Sequence, residues 1–243
     1  MQARHVPTIT ARYWTAITLA SVFGTNMGDF YAHESGLGLL GGLPILVALF
    51  GLVYLAERKD KLTHDAYYWV CIIIMRTGAT NIADYMAGRR GLGIDRLVLS
   101  IGLGVAVAVF AYIASRRESD APKSLPDTNP LYWVCMLTAG VFGTAFGDYF
   151  EHLIGQGVSA AMLTVVLALA LIVYFKAGLK PIFGYWLTVS VCRTTDTAIG
   201  DWLAESKDLQ IGLTVCTIAS GLVLAAVLIA WRDRRPAELV PAE

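Results

Sequence analysis

The chain has 243 residues, 56% hydrophobic and 16% charged, a mean hydropathy of +0.58 and a formal net charge of zero. Soluble domains carry roughly 25% charged residues, so this composition argues against one, and the neutral balance suggests no nucleic-acid partner. The four cysteines, Cys71, Cys135, Cys192 and Cys216, sit in apolar segments without a CxxC pair and read as small buried side chains.

In chain order, the first apolar segment is Tyr13–Gly28, preceded by Arg4 and Arg12 in the manner of a secretory signal. It recurs three times downstream, which assigns it to the mature fold instead. It leads into 22-VFGTNMGDFYAH-33 and then the uncharged run Leu39–Ala56. The next polar-bearing helix contains 76-RTGATNIAD-84 and is followed by the uncharged run Leu97–Ser115. A polar, proline-bearing linker, 116-RRESDAPKSLPDTNP-130, separates this from a second pair. That pair contains 141-VFGTAFGDYFEH-152 before Gly157–Phe175, and 193-RTTDTAIGD-201 before Ile211–Trp231. Each uncharged run is long enough to cross ~30 Å of hydrocarbon at ~1.5 Å per residue.

The four segments align on four tryptophans, each preceded by tyrosine: Trp14, Trp69, Trp133 and Trp186. Eleven residues beyond them stand Thr25, Thr80, Thr144 and Thr197, and fifteen beyond stand Asp29, Asp84, Asp148 and Asp201. A small residue precedes each aspartate and an aromatic follows it. The chain is therefore read as four copies of a two-helix unit. This predicts an all-α integral membrane protein with eight transmembrane helices. The four parallel repeats are arranged as two pseudo-symmetric halves, residues 1–119 and 120–243, within one membrane bundle. Copies one and three share VFGTxxGD and a histidine; copies two and four share an arginine two turns before the aspartate.

Short loops on one side of the predicted membrane hold thirteen Lys and Arg residues, against four on the other. That bias places both termini in the cytoplasm. The Tyr-Trp pairs are then expected at the inner interface as an aromatic belt. The aspartates lie about 22 Å further out along each helix, and the threonines near mid-membrane.

Positions four apart share a helix face. The odd copies present the stripes Thr25, Asp29, His33 and Thr144, Asp148, His152; the even copies present Arg76, Thr80, Asp84 and Arg193, Thr197, Asp201. Charged groups at membrane depth cost ~2.5–3.5 kcal/mol each on insertion scales and should face the bundle interior. With Asp196, five acids face two arginines at this level, and protons or bound cations must balance the remainder. Carboxylates, hydroxyls, the amides of Asn26 and Asn81 and two imidazoles form an oxygen-rich donor set suited to a divalent metal such as Mn²⁺ rather than Cu⁺. Glu34, Glu151 and Glu205 are placed to collect cations at the entrance. The bland readings stand beside these. Gly24-x3-Gly28 and Gly143-x3-Gly147 are helix-packing signatures. The threonines can bond back to their own helices, and the arginines can act as structural clamps.

The Tyr-Trp…Thr-x3-Asp pattern, running over almost the whole chain, resembles a family of bacterial membrane-anchored proteins. Its members are built of four tandem repeats, each with two transmembrane segments and a characteristic tryptophan. The resemblance implies this architecture and a bacterial inner-membrane location. The family's repeat has no known function, so no substrate or mechanism follows from it.

The residues themselves point to a transporter or channel for a cation, most simply a divalent metal ion. Asp29, His33, Asp84, Asp148, His152 and Asp201 are the expected ligands. The expected path carries Thr25, Thr80, Thr144, Thr197, Asn26, Asn81, Arg76, Arg193 and Asp196. The expected partners are the lipid bilayer and an inorganic cation, and the chain is compatible with a homo-oligomer. Two alternatives use the same residues: a membrane-embedded metal-dependent enzyme, and a cofactor module with His33 and His152 as paired ligands.

Overall fold

The structure is a computed structural model that describes residues 6–60, 64–89, 91–117, 126–176, 181–207 and 209–231. Its elements are α1 (Ala11–Glu34), the single turn α2 (Gly38–Gly41), α3 (Leu43–Lys59), α4 (Asp65–Ala87), α5 (Arg96–Arg117), α6 (Pro130–Ile154), α7 (Gln156–Lys176), α8 (Pro181–Glu205) and α9 (Leu213–Ala230). Eight long helices thus appear among the described residues, two per repeat. Residues 118–125 of the linker lie outside the described residues, as do Arg4, Lys61, Arg90, Lys123, Lys180, Arg232, Arg234 and Arg235 of the charge bias.

Local sequence sets the helix ends. Asn129 caps α6 by accepting from the Tyr132 backbone N–H at 2.9 Å, with Pro130 in the first turn, where its missing N–H costs nothing. Asp95 accepts from the backbone N–H groups of Leu97 and Val98 at the start of α5. The turn from each first helix to its partner passes through a glycine at positive φ: Gly36 (75°), Gly93 (63°), Gly155 (86°) and Gly212 (87°). A side chain there would meet the left-handed penalty.

The first helices of the four repeats, α1, α4, α6 and α8, form a closed inner ring in that order. Small residues let them approach. A Cβ on Gly24 would lie 2.7 Å from the Arg76 Cβ, and one on Gly28 would lie 2.9 Å from the Thr80 Cβ. The second half repeats this with Gly143 against Arg193 and Gly147 against Thr197. The glycines of each odd copy therefore seat the arginine and threonine of the following even copy, which is small-residue helix packing given a specific partner.

The second helix of each repeat packs on the first helix of the next repeat. α3 lies on α4, α5 on α6, α7 on α8, and α9 closes the circle on α1. At the closing contact the Thr217 hydroxyl donates to the Asn26 carbonyl at 3.2 Å, and Gly221 fits under Phe23. The two sequence halves are thus interlocked, each contributing an outer helix to the other.

Among the described residues, five helices are long and apolar enough to cross a membrane: Gly38–Lys59, Arg96–Ala114, Pro130–Ile154, Gln156–Lys176 and Leu213–Ala230. Four of these five are largely exposed apolar cylinders, whereas the α6 window is 61% buried. α1, α4 and α8 are not among the five. They carry the polar residues that the fold buries, including Ser21 and Thr25, Arg76 and Thr80, and Arg193 through Thr197. The bundle is apolar outside and buries most of its polar side chains within, the reverse of a soluble helical bundle.

Candidate functional site

Counting from each tryptophan, the residues at −1, +3, +7, +11 and +15 fall on one face of the inner helices and meet in layers about 6 Å apart along the axis. At one end the hydroxyls of Tyr13, Tyr68, Tyr132 and Tyr185 form a closed square. The O···O distances are 2.7 Å (Tyr13–Tyr68), 2.8 Å (Tyr68–Tyr132), 2.7 Å (Tyr132–Tyr185) and 2.8 Å (Tyr13–Tyr185). All four tyrosines are at most 3% exposed, and the four tryptophans are buried around them. This corrects the expectation of an interfacial aromatic belt. The hydroxyls satisfy one another, so the rings turn inward rather than to the lipid headgroups. The next layer, Ile17, Ile72, Met136 and Val189, is apolar and fully buried.

Above it stand the two arginines, each 1% exposed. Arg76 Nη1 donates to Thr144 Oγ1 at 2.7 Å and to the Gly140 carbonyl at 3.2 Å, while Nη2 donates to Thr197 Oγ1 at 2.5 Å. Arg193 donates to the Ser21 hydroxyl and contacts Met136 Sδ at 3.1 Å. Both guanidiniums are held by neutral oxygen or sulfur acceptors. A buried charge without a counter-ion is costly, and three hydrogen bonds offset part of that for Arg76.

The threonine layer follows. Thr25 and Thr197 donate back to the carbonyls of Ser21 and Arg193. Their oxygens remain able to accept, as Thr197 does from Arg76. Thr25, Thr80 and Thr144 floor a cavity of about 400 Å³. Its wall carries all four repeat aspartates, Asp29, Asp84, Asp148 and Asp201. Asp148 accepts from Arg96 Nε at 3.3 Å, an ion pair supplied by the start of α5. Among the described residues no hydrogen bond or ion pair engages the carboxylates of Asp29, Asp84 or Asp201. Asp29 is only 8% exposed.

The mouth is lined by His33, His152, Glu151, Glu205 and Arg89. The His152 ring hydrogen-bonds the Asp148 carbonyl through Nδ1 at 2.8 Å. Glu34 is exposed and does not line the cavity, although it had been expected at the entrance. Asn26, Asn81 and Asp196 are fully buried away from the cavity. Among the described residues both side-chain amides lack hydrogen-bond partners, and Asp196 accepts from the Cys192 thiol at 3.1 Å. Each lies a residue off the −1/+3/+7/+11/+15 register, which turns it about 100° from the axial face. In this arrangement no three His, Cys, Asp or Glu side chains among the described residues draw together closely enough to hold one metal ion.

Sequence reasoning missed Arg96, which lies outside the repeated positions. It also missed the tyrosine square, although the signal was present in the same four-residue spacing as the threonines and aspartates.

Two stretches, residues 12–59 and 184–235, match the family described as Repeat of Unknown Function (DUF347). They coincide with the first and fourth repeat copies. Neither a curated protein nor a solved structure matches this chain.

Proposed function

We propose that this protein is a multi-pass membrane carrier for a cation, with all eight long helices spanning the bilayer and the aspartate-lined cavity as the loading site. The carrying observation is that the aspartates of all four repeats line one cavity and that, among the described residues, three of them make no hydrogen bond or ion pair through their carboxylates. Unpaired carboxylates in a recess attract and concentrate cations. α1, α4 and α8 are 24, 23 and 25 residues long, enough to cross, and the outer ring separates their polar faces from lipid.

A carrier fits better than an open pore. Below the threonine floor the axis is blocked in turn by two arginine side chains, an apolar layer and the tyrosine square. Alternating access requires those layers to part. The square's four hydrogen bonds contribute only about 0.5–1.5 kcal/mol each, within reach of cargo binding. The lysine and arginine bias supports a cytoplasmic tyrosine end and cytoplasmic termini, with the cavity facing outward, and the family resemblance supports a bacterial inner membrane.

The inorganic form of the cargo is a divalent metal ion. It would be held with part of its water shell, because the acids surround a space rather than converge on a point. Uptake by purified protein in sealed liposomes, measured for a panel of metal and organic cations, tests the reading. Saturable uptake of at least one cation is expected. Liposomes no more permeable than protein-free ones to every cation would overturn it.

A further inference from the structure

We infer that the cavity is built for an organic polycation, a linear aliphatic chain carrying two or more separated amino or guanidino groups, rather than for a single metal ion. This rests on the cation-carrier reading and names its cargo.

Four features of the cavity carry the inference. The first is size against ligation. A dehydrated divalent ion needs its ligands drawn to about 2.0–2.6 Å of one point. Here four carboxylates line a space of about 400 Å³, and among the described residues no three acidic, histidine or cysteine groups converge. That volume falls in the range of about 300–1,000 Å³ that houses small organic molecules.

The second is the state of the anchors. Asp29 is 8% exposed, lines the cavity and makes no side-chain hydrogen bond or ion pair among the described residues; the half-buried Asp84 and Asp201 line it from other helices, also without one. A carboxylate so placed takes up a proton or a counter-charge. One buried and two half-buried acids on separate walls are matched by several positive charges held apart, not by one point charge.

The third is that the chain fills the equivalent positions with alkyl-linked cations of its own. Arg96 reaches in from α5 to Asp148 at 3.3 Å, making one of four equivalent acids an alkylguanidinium site already. One layer below, the threonine hydroxyls accept from the guanidinium of Arg76. Both layers thus already hold nitrogen cations on flexible carbon stems.

The fourth is that acid and threonine layers lie about 6 Å apart along the axis. A few methylene groups between two nitrogens span that step, and Leu39 supplies an apolar contact in the wall.

The test is calorimetric titration of the full-length purified protein with spermidine, putrescine, propylamine, MnCl₂ and MgCl₂. Spermidine and putrescine should bind, with propylamine about tenfold weaker or worse because it fills only one anchor. Asp84→Asn and Asp201→Asn, each checked for an unchanged elution profile and melting temperature, should each weaken spermidine by about tenfold or more. Mn²⁺ or Mg²⁺ binding as tightly as spermidine overturns the inference and leaves the carrier reading standing. Propylamine equalling spermidine overturns it in the same way. If neither amines nor metals bind, the carrier reading falls with it.

Discussion

The guanidinium of Arg76 on α4 donates to the hydroxyl of Thr197 on α8 at 2.5 Å, across the diagonal of the inner ring. With its second bond to Thr144 on α6, it ties three of the four inner helices together at one level. The same contact places a positive charge on the axis just below the acidic cavity.

That charge should act as a barrier. A unit charge about 10 Å away at an effective dielectric of about 20 costs a passing monovalent cation about 1.7 kcal/mol, more than a tenfold effect. Arg76→Ala is therefore expected to raise the rate of saturable cation uptake by reconstituted protein, the apolar layer and the tyrosine square still closing the axis against a leak, and Arg76→Lys to raise it much less. Equal rates from both variants, or wild-type rates from both, would contradict the barrier role.

Close packing makes a separate prediction. A Cβ on Gly143 would lie 2.4 Å from the Arg193 Cβ, whereas Gly51 and Gly102 have nothing within 4 Å. Gly143→Ala should destabilise by about 1–3 kcal/mol through overpacking. Gly51→Ala and Gly102→Ala should be neutral or slightly stabilising, since alanine is the better helix former. Melting temperatures of the three variants in one detergent decide the matter.

The tyrosine square predicts non-additivity. Tyr68→Phe breaks two hydroxyl contacts, those to Tyr13 and Tyr132. About 1–2 kcal/mol of stability should go with it. Tyr185→Phe at the opposite corner breaks the other two. If the square is a cooperative network, the double variant should lose clearly less or more than the sum of the singles. Strict additivity in denaturant titrations would mean four independent contacts.

Much of this site was legible in the spacing of the repeat. Thr and Asp at fixed distances from Trp put the aspartates either around one axis or in two pairs across the halves, and in the structure Asp29, Asp84, Asp148 and Asp201 line one cavity. The same spacing carried the tyrosines, but a Tyr-Trp pair at a helix end is ambiguous between lipid interface and core. Only packing resolves it, here through mutual hydroxyl contacts that a linear sequence does not display. The placement of α9 on α1 was illegible because it joins the two ends of the chain. Arg96 escaped for a related reason: its pairing with Asp148 is made between repeats, where no internal copy offers a precedent. Asp196, Asn26 and Asn81 were assigned to the path by their polarity and depth, but their register takes them off the axial face.

Arg96 offers a gain-of-function prediction. Its side chain is 33% exposed, so the pair with Asp148 contributes little to stability, within about 1 kcal/mol. Arg96→Ala would free the fourth carboxylate and remove a competing cation. Affinity for a bound cation should rise several-fold with the melting temperature nearly unchanged. Weaker binding would show instead that Arg96 positions Asp148 for the cargo.

The most direct test of the central claim is saturable cation uptake into liposomes by wild type beside Asp29→Asn/Asp84→Asn/Asp201→Asn. That variant neutralises the three carboxylates that make no ion pair among the described residues while keeping side-chain shape. The account predicts that uptake falls to the protein-free background while the protein remains folded, by its elution profile and melting temperature. Uptake at the wild-type rate from that folded variant would contradict it.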